Sequence, residues 1–142
     1  MSDTFDLASL DPLIEAQESG MEVEIKGPDG KQLGSNGWRI RIAGPDSKRF
    51  RDASAAITQE RIDAGNVGDT SADDIRRNAI RILAKCTLSW TPIIMGGTDV
   101  PCTEANARAI YEKYQFVRDQ LEQKAGNRRV FFRGLGQDAA EQ

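Results

Sequence analysis

The residues that could carry chemistry in this chain of 142 residues form an unusual set, because histidine is missing from it. Histidine is the commonest general base and the commonest transition-metal ligand. A serine nucleophile would then need a lysine or carboxylate base, but the adjacent Ser47 and Lys48 would not face each other on a helix. Cys86 and Cys102 are too few to complete a four-ligand zinc site. We expect no catalytic, cofactor or metal site, and we interpret both cysteines as reduced core residues.

The acidic cluster and the glycine-rich runs favour structural interpretations. Asp74 follows Ser71 by three residues, which is a helix-start signature, and the dipole of a helix favours Asp73 and Asp74 in its first turn. The runs 27–30 and 44–48 contain glycine but lack the spacing of a phosphate-binding loop, and their prolines lack a backbone N–H donor. They are predicted to be a hairpin turn and a helix start.

Charge and hydropathy narrow the range of partners. Lys and Arg number 19, Asp and Glu number 22, and the net charge of −3 argues against nucleic acid as the main partner. Residues 1–10 lack the basic start and the apolar run of a signal peptide. The longest uncharged apolar run, 93–95, is far shorter than the roughly 18 residues that cross a membrane. The sequence therefore predicts a cytoplasmic protein with no nucleic-acid or membrane partner.

Periodicity places the secondary structure. Apolar and charged residues alternate over 21–25 and 38–42, which predicts two strands of an antiparallel hairpin. Helices are predicted from 44 to 63, after Ser71, and from 103 to 126, whereas 87–102 is predicted to be irregular or extended. The helices are predicted to bury stripes formed by Phe50, Ala53 and Ile57, by Ile75, Ala79, Ile82, Leu83 and Cys86, and by Ala107, Ile110, Tyr114, Val117 and Leu121.

Together these elements predict an α+β fold, in which a small antiparallel hairpin or sheet packs with about three to four helices. Residues 1–20 are predicted to form an N-terminal arm with a short helix, capped by Asp11 and carrying Pro12 in its first turn. Residues 21–133 are expected to form the single domain, and 134–142 a flexible C-terminal tail.

Aromatic and arginine side chains are the best candidates for partner binding, because both types are enriched at interface hot spots. Phe131 and Phe132 lie close to Arg128 and Arg129 near the C-terminal end. The alternative is that this segment forms the last strand or plug of the core. Trp90 is a second candidate with the same two interpretations.

Several short runs, in their order along the chain, resemble the tail assembly chaperones of long-tailed bacteriophages and prophages. The resemblance spans residues 5 to 133, and the runs are 5–7, 10–11, 28–30, 40–51, 83–90 and 102–107. It implies a non-enzymatic protein that binds the tape measure protein in the host cytoplasm during tail morphogenesis. Such a chaperone keeps the tape measure protein soluble until the tail tube protein polymerises around it. Many of them also exist in a longer form made by ribosomal frameshifting, so this form and the tail tube protein are implied as further partners.

Two other functions stay open. A virion structural protein, such as a tail tube, terminator or connector subunit, often combines a small sheet with helices and loops that order on assembly. An enzyme would have to use a carboxylate or lysine as its acid–base group, and no spacing nominates one. The sequence leaves the oligomeric state and the partner-binding surface open.

Overall fold

The computed structural model of the chain describes residues 4–65 and 71–127. Over these ranges the chain forms five α-helices and two small antiparallel sheets, which confirms the predicted α+β fold with more helices than expected. None of the helices in the described ranges combines the length and the apolar character needed to cross a bilayer. The predicted tail and four of the candidate partner-binding residues lie outside the described residues: Arg128, Arg129, Phe131 and Phe132.

In chain order the elements are a 3-10 turn at Leu7–Leu10, α1 at Asp11–Ser19, β1 at Met21–Ile25, β2 at Trp38–Ile42, α2 at Lys48–Asp63, α3 at Ala72–Cys86, β3 at Thr87–Trp90, β4 at Ile94–Met95, β5 at Thr98–Asp99, α4 at Glu104–Lys113 and α5 at Gln115–Ala125.

The larger sheet has the strand order β1-β2-β3 and is antiparallel throughout. The predicted hairpin is confirmed, and the turn before its return closes with the Gly30 N–H donating to the Gly27 carbonyl at 2.8 Å. Region 87–102 is irregular and extended, as predicted, and its extended parts pair as strands. It contains β3, which follows α3 directly, and the short β4–β5 hairpin, whose turn at Gly96 and Gly97 has positive φ at both residues. Glycine adopts positive φ with the least strain.

The core lies between one face of this sheet and helices α3, α4 and α5. The inward side chains of β1 and β2 alternate as the period-two pattern predicts, and Ile25, Ile40 and Ile42 are fully buried. Tyr111 and Leu121 close the core from the helical side. Each aliphatic side chain buried in this way stabilises the fold by about 1.5–3 kcal/mol.

Helix α1 docks on the connection between β2 and α2, and Gln17 makes several of the contacts. The Gln17 carboxamide donates to Asp46 Oδ2 at 2.8 Å and accepts from the Asp46 N–H at 2.7 Å. The Gly44 N–H donates to the Gln17 carbonyl at 2.9 Å. The predicted N-terminal arm therefore contacts the rest of the chain closely. Asp11 was expected to be the N-cap but lies inside the first turn, because the 3-10 turn ending at Leu10 leads straight into the helix.

Helix α2 begins at Lys48 rather than at Gly44, so the predicted start was wrong by four residues. Ser47 is the N-cap: its buried hydroxyl accepts from the Phe50 N–H at 3.2 Å and donates to the Gly44 carbonyl at 2.7 Å. The segment before it is a turn that receives Gln17. Capping by a serine oxygen satisfies one of the N–H groups that a helix start leaves without a partner.

Helix α3 begins as predicted, with a reciprocal capping box between Ser71 and Asp74. Its buried face matches the predicted stripe in part, because Leu83 and Cys86 are buried as predicted. Ile75 is 61% exposed, whereas Ile80 is 3% exposed and Ala84 is 2% exposed. The buried side is determined by contacts with α2 on one flank and α4 on the other.

The predicted continuous helix from 103 to 126 is divided at Tyr114, whose φ of −111° and ψ of 87° lie outside the helical region. Thr103 caps α4 as predicted for the start of this segment. The break directs α5 towards β1, where the Gln120 carboxamide accepts from the Lys26 N–H and donates to the Lys26 carbonyl, both at 2.8 Å. Arg118 is buried and donates to the Tyr111 carbonyl at 3.0 Å.

Candidate functional site

Trp90 is the one candidate partner-binding residue within the described ranges, and its ring is half-buried in the sheet. The ring packs edge to face against Trp38 with centroids 6.4 Å apart. Its indole N–H donates to the Val100 carbonyl at 3.1 Å, so its polar tip is already bound. These contacts hold the β4–β5 hairpin against the larger sheet, which favours a structural role for Trp90.

An open apolar groove of about 290 Å³ lies between α3, the end of α5 and the connection from β2 to α2. Its wall contains a single carboxylate, Glu122. Burial raises the pKa of Glu122, while Arg118, whose Nε lies 3.9 Å from its carboxylate, opposes that shift. The remaining wall residues present carbon and sulfur or glycine backbone: Ile42, Ala43, Pro45, Phe50, Ala79, Ile82, Leu83, Cys86, Ala125 and Gly126.

The two cysteines differ from each other. Cys86 is buried in the wall of the apolar groove, as predicted for a core residue, and burial raises its pKa to about 11. Its thiol is therefore neutral near pH 7 and unreactive. Cys102 is exposed, so its predicted place in the core was wrong; it lies in the loop that leads into α4.

A second cavity, between α2 and α3, is polar and has a volume of about 390 Å³. Arg81 binds the Glu60 carboxylate with both terminal nitrogens, at 2.7 and 2.6 Å, and this pairing lowers the pKa of Glu60. Lys85 lies 3.6 Å from Glu104. These two ion pairs link α3 to α2 through Glu60 and to α4 through Glu104.

The residues considered above as a nucleophile or as metal ligands form helix caps and ion pairs in the described part of the chain. The Ser47 hydroxyl is fully buried and serves as the cap of α2, so Lys48 is not its base. Asp73 and Asp74 lie in the first turn of α3 and form ion pairs of 3.5 Å with arginines one turn later. In residues 4–65 and 71–127, no group of three or more Cys, Asp and Glu is placed to hold a metal ion.

Apolar side chains are exposed on the N-terminal arm, a feature that the sequence analysis missed. Phe5 is 65% exposed, Leu7 is 69%, Leu10 is 40% and Ile14 is 43%. We refer to these four residues as the N-terminal strip. The spacing of Leu7, Leu10 and Ile14 was the available signal, but a short apolar stripe is equally typical of a helix face packed on a core.

The β4–β5 hairpin carries a smaller exposed apolar pair, Ile94 and Met95, which are 66% and 54% exposed.

Comparisons with known protein families, with curated proteins and with solved structures find no match to this chain. The apolar groove and the N-terminal strip are the two larger apolar surfaces in the described residues, and both could contact a partner protein.

Proposed function

We propose that this chain is a non-enzymatic tail assembly chaperone, which binds the tape measure protein in the host cytoplasm and keeps it soluble until tail tube subunits polymerise around it. The open apolar groove is the observation that carries the proposal. A surface cavity lined almost wholly by apolar groups suits the side chains of a helix that would otherwise aggregate. The tape measure protein is proposed as the source of that helix because short runs of this sequence resemble the tail assembly chaperones.

The groove suits one face of an amphipathic helix. Ala79, Ala125 and Gly126 are small, so the backbone of a bound helix can approach closely, while Phe50 and Ile82 offer larger contact surfaces. Apolar side chains of the tape measure helix at spacings of three and four residues would enter the groove together. Glu122, at the side of the groove, would accept hydrogen bonds from a basic side chain flanking that apolar face.

Co-expression with the tape measure protein tests the proposal. The wild-type chain is expected to raise the soluble fraction of the tape measure protein and to co-purify with it. Ala79→Arg and Ala125→Arg place a charge in the groove and are expected to lower recovery of the complex about tenfold or more, which corresponds to about 1.4 kcal/mol. Ala55→Arg is the matched control, because Ala55 is exposed on α2 and does not line the groove.

Circular dichroism melting shows whether each variant is folded. If folded groove variants bind as well as the wild type, the groove is not the binding surface. If the wild-type chain neither solubilises the tape measure protein nor co-purifies with it, the chaperone function is wrong. Mass spectrometry of purified particles tests the structural alternative, because a tail tube, terminator or connector subunit would be present at fixed stoichiometry.

A longer form of the chain, made by frameshifting, belongs to the same proposal. It requires a slippery heptanucleotide in the coding sequence upstream of the stop codon. A coding sequence without one removes the longer form from the list of partners and leaves the groove proposal unaffected.

A further inference from the structure

The N-terminal strip is a regular feature rather than a scatter of apolar residues. Leu7, Leu10 and Ile14 are spaced by three and then four residues along the 3-10 turn and α1. At these spacings they lie on one side of the helical segment, because residues three apart eclipse in a 3-10 turn and residues four apart share a face in an α-helix. Their exposure shows that this side is turned away from the core.

Negative charge borders the strip along its length. Asp11 and Glu15 are exposed, follow Leu10 and Ile14 directly, and lie one helical turn apart. Neither carboxylate forms an ion pair with a residue in 4–65 or 71–127. Lysine and arginine do not occur in residues 4–20. The outer side of α1 is therefore an apolar stripe beside an acidic stripe whose charge is not balanced locally.

The last turn of α1 fixes the strip relative to the domain. The carboxamide of Gln17 binds Asp46 on both of its polar atoms, and Glu18 Oε1 accepts from the Lys48 N–H at 2.6 Å. The Arg41 guanidinium donates to the carbonyls of Ser19 and Gly20, at 3.2 and 3.0 Å. A surface held in this way needs little ordering when a partner binds, so less of the binding free energy is lost.

We infer that the N-terminal strip is a docking surface for an amphipathic helix of another protein, whose apolar stripe is bordered by lysine or arginine. Packing on Leu7, Leu10 and Ile14 supplies the apolar contact, and the basic border faces Asp11 and Glu15. Charge complementarity of this kind selects a basic helix over an acidic one with the same apolar stripe. The surface is separate from the apolar groove, so the inference does not rest on the proposed function.

Two synthetic helical peptides test this inference on the full chain by fluorescence anisotropy. Both carry the same leucine stripe, bordered by lysine in one and by glutamate in the other. The lysine peptide is expected to bind about tenfold or more tightly than the glutamate peptide, with an affinity that falls as salt is added. Leu7→Ser with Ile14→Ser is expected to weaken it about tenfold or more. Asp11→Asn with Glu15→Gln is expected to weaken it about three- to tenfold and to reduce the salt dependence.

Matched controls separate the strip from the general attraction of a basic peptide to an acidic chain. Glu112→Gln with Asp119→Asn removes two exposed acids from α4 and α5, and Ile94→Ser with Met95→Ser removes the exposed apolar pair of the hairpin. Both double variants are expected to bind like the wild type. If the first weakens binding as much as the change at Asp11 and Glu15, or if the strip variant binds normally, the inference is wrong.

Two further outcomes would assign another occupant and overturn the inference. Sedimentation that shows a wild-type dimer, dissociated by Ile14→Ser, would mean that a second copy of the chain covers the strip. Tighter binding of the lysine peptide after Phe131→Ser with Phe132→Ser would mean that the chain's own C-terminal segment covers it.

Discussion

Gly44 should be intolerant of any side chain, because a methyl group there would collide with Gln17. A Cβ at Gly44 would lie 2.7 Å from both Cγ and Oε1 of Gln17 and 2.9 Å from its Cβ. These separations are far inside van der Waals contact, so Gln17 must move and its two hydrogen bonds with Asp46 must break. Gly44→Ala therefore tests whether the attachment of α1 depends on this one contact.

The expected loss can be worked out from the groups involved. Two hydrogen bonds of a largely buried amide stabilise the fold by about 0.5–1.5 kcal/mol each. Replacing glycine by alanine also restricts the unfolded chain, which returns about 0.4–1 kcal/mol. We expect Gly44→Ala to lower the free energy of unfolding by about 1.3 kcal/mol, the difference between the mid-values of these contributions.

Urea unfolding of four proteins measures this effect: the wild type, Gly44→Ala, Gln17→Ala and the double variant. In the Gln17→Ala background the Cγ and Oε1 atoms are missing, so Gly44→Ala should cost about 1 kcal/mol less than in the wild type. Gln59→Ala is the control, since Gln59 is an exposed glutamine bonded to Asp63, and it should change stability by less than about 0.5 kcal/mol. A Gly44→Ala change that is equally costly in both backgrounds, or costless, would refute the close contact.

Three other predictions concern single side chains. Tyr111→Phe removes the buried hydroxyl that lies 2.7 Å from Thr87 Oγ1, and should lower the free energy of unfolding by about 1 kcal/mol in urea titrations; a neutral result would mean that this hydrogen bond contributes little. Burial raises the pKa of Glu122, so the contribution of this side chain to the free energy of unfolding is greatest when the carboxyl is protonated. That contribution is lost as the pH rises through the raised pKa. Glu122→Gln should therefore gain up to about 0.5 kcal/mol relative to the wild type between pH 4 and pH 7, and a gain on acidification instead would reverse this reasoning. A thiol reagent should modify the exposed Cys102 in the native protein and Cys86 only after unfolding, and equal reactivity of the two would contradict the burial of Cys86.

Local signals predicted the helix starts that depend on them. Ser71 with Asp74, and Thr103 at the start of α4, are caps formed by residues three apart, so the sequence alone contains both partners. The predicted start of α2 was wrong because the actual start depends on a contact from another part of the chain. The Gly44-Pro45 signal marks a turn that receives Gln17 from elsewhere in the chain, and such a contact leaves no trace in the local pattern.

Features that depend on distant contacts were missed. The spacing of apolar residues predicted a continuous helix through Tyr114. The chain instead breaks at Tyr114, so that α5 reaches β1. The hydrogen bond from Arg118 to the Tyr111 carbonyl spans this break. The exposure of Ile75 and the burial of Ile80 depend on the neighbours of α3, which periodicity does not reveal. The apolar groove likewise combines residues from four separate segments, so its existence could not be read from any one of them.

The Gln120 carboxamide has a consequence for how the sheet meets other chains. A primary amide offers the same donor and acceptor as a peptide unit, so Gln120 supplies at Lys26 the pairing that a neighbouring strand would provide. Unpaired backbone groups at an outer strand are a template for recruiting further strands. Deamidation of Gln120 would replace its donor with an oxygen facing the Lys26 carbonyl, and the two acceptors would repel each other. The Lys26 carbonyl next to the outer strand would then lack its donor, which is the unpaired condition that recruitment of a further strand requires.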